Sequence, residues 1–166
     1  MTVITTKRLT LGLYHQGKGH LETMVRWLND SSITRYSEQR HQCHDVESQL
    51  HYVMDGPRIF REIHAEEKFI GTITAHIDED NSVANVGILI GEKSEWGKGY
   101  GTEAWIALCD HLLNNGIRKV EAGAMSINLG MIHIFRKSKM FYEGRRHAHF
   151  LCGQETVDMV LWGKFS

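Results

Sequence analysis

Three things are scarce in this chain of 166 residues, and each scarcity removes a class of function. Charge of one sign is the first. With 19 Lys and Arg against 20 Asp and Glu, the formal net charge is -1, so there is no basic surplus to hold a nucleic acid. Long apolar runs are the second. None approaches the ~20 residues of a membrane span, and the opening stretch MTVITTKRLTL has no signal-peptide core. No membrane partner is expected, and a cytoplasmic location is. Cysteine is the third: Cys43, Cys109 and Cys152 are odd in number, far apart and form no CxxC pair. That pattern argues for reduced thiols over disulfides or a zinc site, and no metal is expected. A hydrophobic fraction of 42%, with no repeat, low-complexity tract or linker, fits a single domain over residues 1–166.

What the chain does contain is Trp96-Gly97-Lys98-Gly99-Tyr100-Gly101-Thr102, alternating glycines between a strand-like run, Val83 to Ile90, and a helical pattern, Thr102 to Asn114. Glycines at a strand-to-helix turn expose successive backbone N–H groups, and the following helix adds unpaired amides and the positive end of its dipole. Such a loop wants a phosphate. It is not a P-loop, because Thr102-Glu103 stand where Lys-Ser/Thr would be needed. Nor is it a dinucleotide loop, which would follow the first strand of a βαβ unit. The bland alternative is a glycine-rich surface turn.

The rest of the chain reads as alternating helices and strands. Lys7 to Tyr14 alternates as a first strand. His20 to Asn29 and Asp45 to Met54 carry helical spacing, the second capped by Asp45 and stopped by Gly56-Pro57. Strands are expected at Arg58 to Ala65, Lys68 to Ile77, Val83 to Ile90 and Lys119 to Ser126. A short helix over Leu129 to Lys139 and a hairpin of Tyr142 to Phe150 with Glu155 to Gly163 complete the chain.

This order, with the glycine loop and the segment from Ile127-Asn128 to Glu143-Gly144-Arg145, resembles the GNAT family of acetyl-CoA-dependent N-acetyltransferases, in the branch with ribosomal-protein N-terminal and amino-sugar acetyltransferases. The family loop reads Gln/Arg-x-x-Gly-x-Gly/Ala, matching Trp96, Gly97, Lys98, Gly99, Tyr100 and Gly101, with Trp96 in place of the usual Gln/Arg. The resemblance implies an α+β fold with a mixed, mostly antiparallel sheet of about seven strands flanked by helices. Its two central strands, Val83–Ile90 and Lys119–Ser126, would splay around the pantetheine arm of the co-substrate acetyl-CoA. It further implies that backbone groups of Ile88 and Ile90 pair with that arm. The amides of Gly97 to Thr102 would hold the pyrophosphate, and Asn128 would hydrogen-bond the arm. Arg136 and Lys137 would reach the nucleotide phosphates. Phe135 stands where many members carry the tyrosine that protonates the departing thiolate.

Acetyl transfer to an amine needs the amine deprotonated, the tetrahedral oxyanion held by fixed donors worth ~3 to 4 kcal/mol each, and the thiolate protonated. Ser138, three residues beyond Phe135, is the candidate acid, with His133 an alternative. Asn85 matches the family's glutamate base but cannot take a proton, so His76, or Asp78 near it, is the candidate base. Trp27, Arg35, Tyr36, Glu38, Arg40 and His41 form a polar-aromatic cluster that suits a ring-bearing, phosphorylated acceptor. Arg145, Arg146, His147 and His149 add a basic ridge. The expected reaction is direct attack of a small-molecule primary amine, such as a nucleotide-linked amino sugar, on acetyl-CoA. A protein N-terminus is the runner-up acceptor, a non-catalytic acyl-CoA-binding module is the alternative outside enzymes, and a homodimer is left open.

Overall fold

The computed structural model describes residues 2–16, 19–56 and 59–166. Eight strands form one sheet: β1 (Ile4–Thr5), β2 (Leu9–Gly12), β3 (Ile59–Ala65), β4 (Lys68–Asp78), β5 (Val83–Ile90), β6 (Lys119–Met125), β7 (Phe141–Cys152) and β8 (Glu155–Phe165). Their spatial order is β1-β2-β3-β4-β5-β6-β8-β7. Five α-helices accompany them among the described residues: α1 (His20–Leu28), α2 (Ser31–Thr34), α3 (Val46–Asp55), α4 (Tyr100–Asn114) and α5 (Leu129–Lys137).

All neighbouring strands run antiparallel except β5 and β6. That parallel pair is short: Val83, Ala84 and Asn85 lie opposite Lys119, Val120 and Glu121, and no pairing continues beyond them. From Val86 and Ala122 onward the two strands part. The expected mixed sheet with two diverging central strands is therefore present.

Helices cover both faces. On one face, α4 buries Ala104, Trp105, Leu108, Cys109 and Leu112 against Leu9, Leu11, Ile63, Ile73, Ala75, Ala84, Val86, Val120 and Ala122. The opposite face carries α1 and α3, where Met24, Trp27 and Val53 pack with Phe60. Period-two alternation explains the division: in β4, Ile73 and Ala75 face α4, while Thr72 and Thr74 lie on the other side.

Local chemistry sets the helix starts. Asp45 accepts from the Ser48 N–H at 2.8 Å while Ser48 Oγ lies 3.2 Å from the Asp45 nitrogen, a reciprocal cap for α3. Asp30 caps the single-turn α2 through the Ser32 N–H, a helix beyond those that the periodicity predicts. Strand β1, only two residues long, gave no periodic signal and adds an eighth strand to the expected count. The expected helix stop at Pro57 and strand start at Arg58 lie outside the described residues.

Candidate active site

β5 ends at Ile90, and the chain reaches α4 through a 3-10 turn (Lys93–Glu95) and the glycine segment. Gly97 (φ 77) and Gly99 (φ 84) both adopt left-handed conformations that a side chain disfavours. Gly99 is the residue before α4 and supplies no side-chain cap, so the first-turn amides of Tyr100, Gly101 and Thr102 keep the unpaired character of a helix start. A Cβ built on Gly97 would meet nothing within 4 Å. The result is an open backbone cradle at the positive end of a fifteen-residue helix.

Side chains brace this cradle from below. Arg8 donates through Nη1 to the Lys98 carbonyl at 2.9 Å, pairs with Glu103 at 2.6 Å and lies over the Tyr100 ring at 4.7 Å. Thr6 Oγ1 donates to Glu103 at 2.6 Å. Burial would raise the Glu103 carboxyl pKa, but the hydrogen bonds from Thr6 and Arg8 outweigh it and hold the group below its ordinary value. Arg8 is a residue that sequence reasoning missed; nothing local to it announces a partner in α4. Trp96, in place of the usual Gln/Arg, stays 46% exposed and donates Nε1 to the Ile90 carbonyl at 2.8 Å. Lys98 is pinned to Glu95 at 2.7 Å, which raises its pKa. A cavity of about 640 Å³ beside the loop is lined by Lys7, Arg8, Gly99, Thr102, Glu103, His133 and Lys137.

The gap between β5 and β6 opens directly above this cradle. Gly91 donates to the Ile70 carbonyl, so by the alternation of an antiparallel ladder Ile90 and Ile88 turn their backbone groups away from β4 and into the gap. Asn128 sits at the start of α5, where Oδ1 accepts from the Met131 N–H at 3.2 Å. Arg136 and Lys137 are exposed in the last turn of that helix.

On the α1/α3 face, a second cavity of about 460 Å³ reaches the same strands. Its polar lining comes from Ser37, Gln39, Gln42, Cys43, His44, Ser48, Gln49, Tyr52, Thr72 and Thr74, and its apolar lining from Met24, Leu28, Phe60, Ile88 and Leu89. No Asp, Glu, Lys or Arg lines it. His44 is held on both sides by Asn29, whose Nδ2 donates to the His44 carbonyl and whose Oδ1 accepts from its N–H. The His44 ring places Nε2 at 3.1 Å from the Gln39 carbonyl. A carbonyl can only accept, so Nε2 carries a proton, and in the neutral ring Nδ1 is then the acceptor. Burial pushes the Tyr52 phenol above its ordinary pKa, with the Thr74 hydroxyl beside it acting in the opposite direction, so Tyr52 remains a donor.

Several side chains singled out from sequence lie elsewhere. Ser138 is buried with its hydroxyl turned onto its own helix, donating toward the Ile134 and Phe135 carbonyls at 2.8 and 3.1 Å. Phe135 is fully buried between Trp105 and Trp162, with ring centroids 5.5 and 5.8 Å away. His76 and Asn85 face each other across β4 and β5 at the closed end of the gap, in a cavity with Lys119 and Glu121. Asn85 precedes Ile90 by five residues, about 17 Å of strand. Trp27 is a core residue against Phe69, and a Cβ on Gly91 would fall 1.9 Å from its ring. Arg40 is committed to the Ser37 carbonyl, Glu38 and the Leu151 carbonyl, while Arg35 lies over the Tyr36 ring at 5.1 Å. None of these cluster residues lines the cavity; Ser37 and Gln39 between them do, together with Gln42, Cys43 and His44 just beyond the cluster. Arg145 pairs with Asp158 at 3.2 Å, and the His147 ring lies 3.5 Å from the same carboxylate.

The family model for the acetyltransferase (GNAT) domain matches residues 8–140. The chain belongs to the GNAT acetyltransferase family. This acetyltransferase superposes on a GNAT acetyltransferase from Bacillus anthracis with a TM-score of 0.84 at 18% identity, covering 99% of this chain and 98% of the other. RimL, a ribosomal-protein α-N-acetyltransferase in complex with coenzyme A, gives 0.84 at 15% identity over 99% and 98%. MccE, a microcin self-immunity acetyltransferase in complex with acetyl-CoA and AMP, gives 0.81 at 15% over 97% and 94%. No curated protein matches the chain. Family membership makes this protein an acetyl-CoA-dependent N-acetyltransferase acting on an amine. No helix among the described residues is long and apolar enough to cross a membrane.

Proposed function

We propose that the enzyme acetylates the primary amine of a small, ring-bearing acceptor of the amino-sugar type, carried on a nucleotide. The observation that carries this reading is the lining of the 460 Å³ cavity: amides and hydroxyls with aromatic and thioether surface, and no fixed charge. Amide and hydroxyl groups both donate and accept, which matches the hydroxyls of a sugar, and Tyr52 and Phe60 offer aromatic surface to a ring. A polycationic amine would find no carboxylate there. Arg35 over Tyr36, next to cavity residue Ser37, supports a nucleotide at the mouth, as does the MccE complex with AMP.

In this reading the first-turn amides of α4 and the backbone of Gly97 to Gly99 hold the pyrophosphate, with Lys7, Arg8 and Lys137 near the nucleotide phosphate. Ile88, the Ile90 N–H and the Asn128 side chain hold the pantetheine arm. His44 Nδ1 takes a proton from the acceptor ammonium, directly or through water. The amine nitrogen then forms a bond to the thioester carbonyl carbon. Collapse of the tetrahedral adduct breaks the C–S bond and expels the coenzyme A thiolate, which takes up the proton that the attacking nitrogen loses, while Tyr52 hydrogen-bonds the developing negative charge. Holding both reactants on one strand edge supplies the rest of the advantage.

The RimL likeness supports a second acceptor, a protein N-terminus. Thiol release from acetyl-CoA, measured with nucleotide-linked amino sugars, free amino sugars, a serine-initiated peptide and spermidine, separates these. The amino sugars should give a kcat/KM at least ten times that of the others. A peptide preference replaces the acceptor reading, and coenzyme A binding without turnover on any amine removes it.

A further inference from the structure

Away from the acetyl-transfer site, one buried carboxylate is surrounded by imidazoles. Glu62 and His64 are two residues apart on β3 and share the face that meets α1. His20 is the first residue of α1, and His15 lies in the segment that leads to it. His20 Nδ1 is 2.9 Å from Glu62 Oε1, His64 Nε2 is 3.0 Å from Oε2, and His15 Nδ1 is 3.7 Å from Oε2. The Glu62 side chain is 0% exposed, and those of His20 and His64 are 13% and 16% exposed. Among the described residues every ion-pair partner of Glu62 is an imidazole.

We propose that His15, His20, Glu62 and His64 form a binding site for a divalent transition metal of the zinc type, which ties the start of α1 to the sheet. A wholly buried carboxylate needs a compensating cation. An imidazole is a cation only while protonated, whereas a divalent metal supplies its charge at any pH. The donor set of nitrogens with one carboxylate oxygen matches zinc and excludes magnesium or calcium, which take oxygen. Tetrahedral bonds of about 2.0–2.2 Å place ligand atoms roughly 3.3–3.6 Å apart. One donor atom each from His20, Glu62 and His64 lies within 4.8 Å of the others, so a slight rotamer adjustment admits the ion. Phe69 stacks on the His20 ring at 4.4 Å and fixes its plane. His15, whose exposed ring lies at the rim of this trio 3.7 Å from Glu62 Oε2, swings in as the fourth ligand, and four protein ligands make the site structural rather than catalytic. Its consequence reaches the acceptor cavity, because Met24 and Leu28 of the same helix line it.

The test uses protein carrying no polyhistidine tag, stripped with chelator and titrated with zinc chloride by calorimetry. The wild type should bind one equivalent, its melting temperature should rise with zinc, and cobalt(II) should give the visible absorption of tetrahedral coordination. His20→Gln and His64→Gln should each weaken zinc binding at least tenfold and abolish the cobalt spectrum. His15→Gln, at a side chain 55% exposed, leaves the fold intact and should also weaken binding, which covers the case where the buried variants do not fold. Sub-stoichiometric zinc in the wild type overturns the proposal, as does equal zinc affinity in the wild type and His15→Gln.

Discussion

The two halves of the proposed reaction site are built from different materials. The acetyl-CoA side is mostly backbone: two left-handed glycines, the first turn of α4 and the open edge of β5. The acceptor side is almost wholly side chain, gathered from α1, the segment 37–44, α3 and the α1/α3 face of β4 and β5. Main-chain recognition depends on conformation and tolerates drift in side chains, which is how Trp96 can stand where Gln or Arg is usual. Side-chain recognition has no such tolerance, and its identity changes with each substitution. One half therefore reports the family, and the other reports the particular acceptor.

Substitutions on each side should separate cleanly. His44→Gln should lower kcat by about 10²–10⁴ while leaving acetyl-CoA affinity unchanged, as expected for loss of a proton acceptor. A change under threefold would move the base elsewhere. Trp27→Ala should destabilise the fold by about 3–5 kcal/mol, measured by urea denaturation, because it empties the contact between α1 and Gly91. If the variant melted like the wild type and only the acceptor KM moved, Trp27 would belong to the site instead of the core. Gly99→Val forces a β-branched side chain into φ 84, a strain of about 1–2 kcal/mol that should raise the acetyl-CoA KM roughly five- to thirtyfold and leave the acceptor KM alone. Ser138→Ala should cost only about 1 kcal/mol of stability, with kcat within twofold, since its hydroxyl bonds its own helix.

The same division explains what was legible in the sequence. Strands and helices with a clear period appeared close to where they are, and the diverging pair followed from the family order of elements. The glycine loop could be read because φ above zero restricts the residue type, so conformation is written directly in the sequence. His44, Tyr52 and Gln49 could not be read this way: they line one cavity only because α3 and the segment that leads into it pack on this face of the sheet, and no spacing along the chain encodes that packing. The surroundings of Phe135 and Ser138 are hidden for a related reason. Helical spacing gives a face, but not whether that face meets a ligand or a pair of tryptophans. Arg35, Glu38 and Arg40 drew attention by type, yet Arg40 serves to hold its segment to the β7 tip through the Leu151 carbonyl.

The subtlest difference concerns how the backbone cradle is held. Glu103 is an acidic residue in the first turn of α4, so it favours the helix dipole but would also repel a phosphate bound there. Arg8 resolves the conflict by pairing with it, and Glu103→Gln should therefore disturb Arg8, Thr6 and the Lys98 carbonyl together. The sign with pH is fixed. Because the folded carboxyl pKa is lowered below its ordinary 4.5, its contribution is present above that value and is lost as pH falls through the folded pKa. The wild type should thus melt above Glu103→Gln at neutral pH, and the two melting curves should converge as the solution is acidified below about 4.5. A difference that persisted unchanged into acid would mean that the carboxylate charge does not hold the loop.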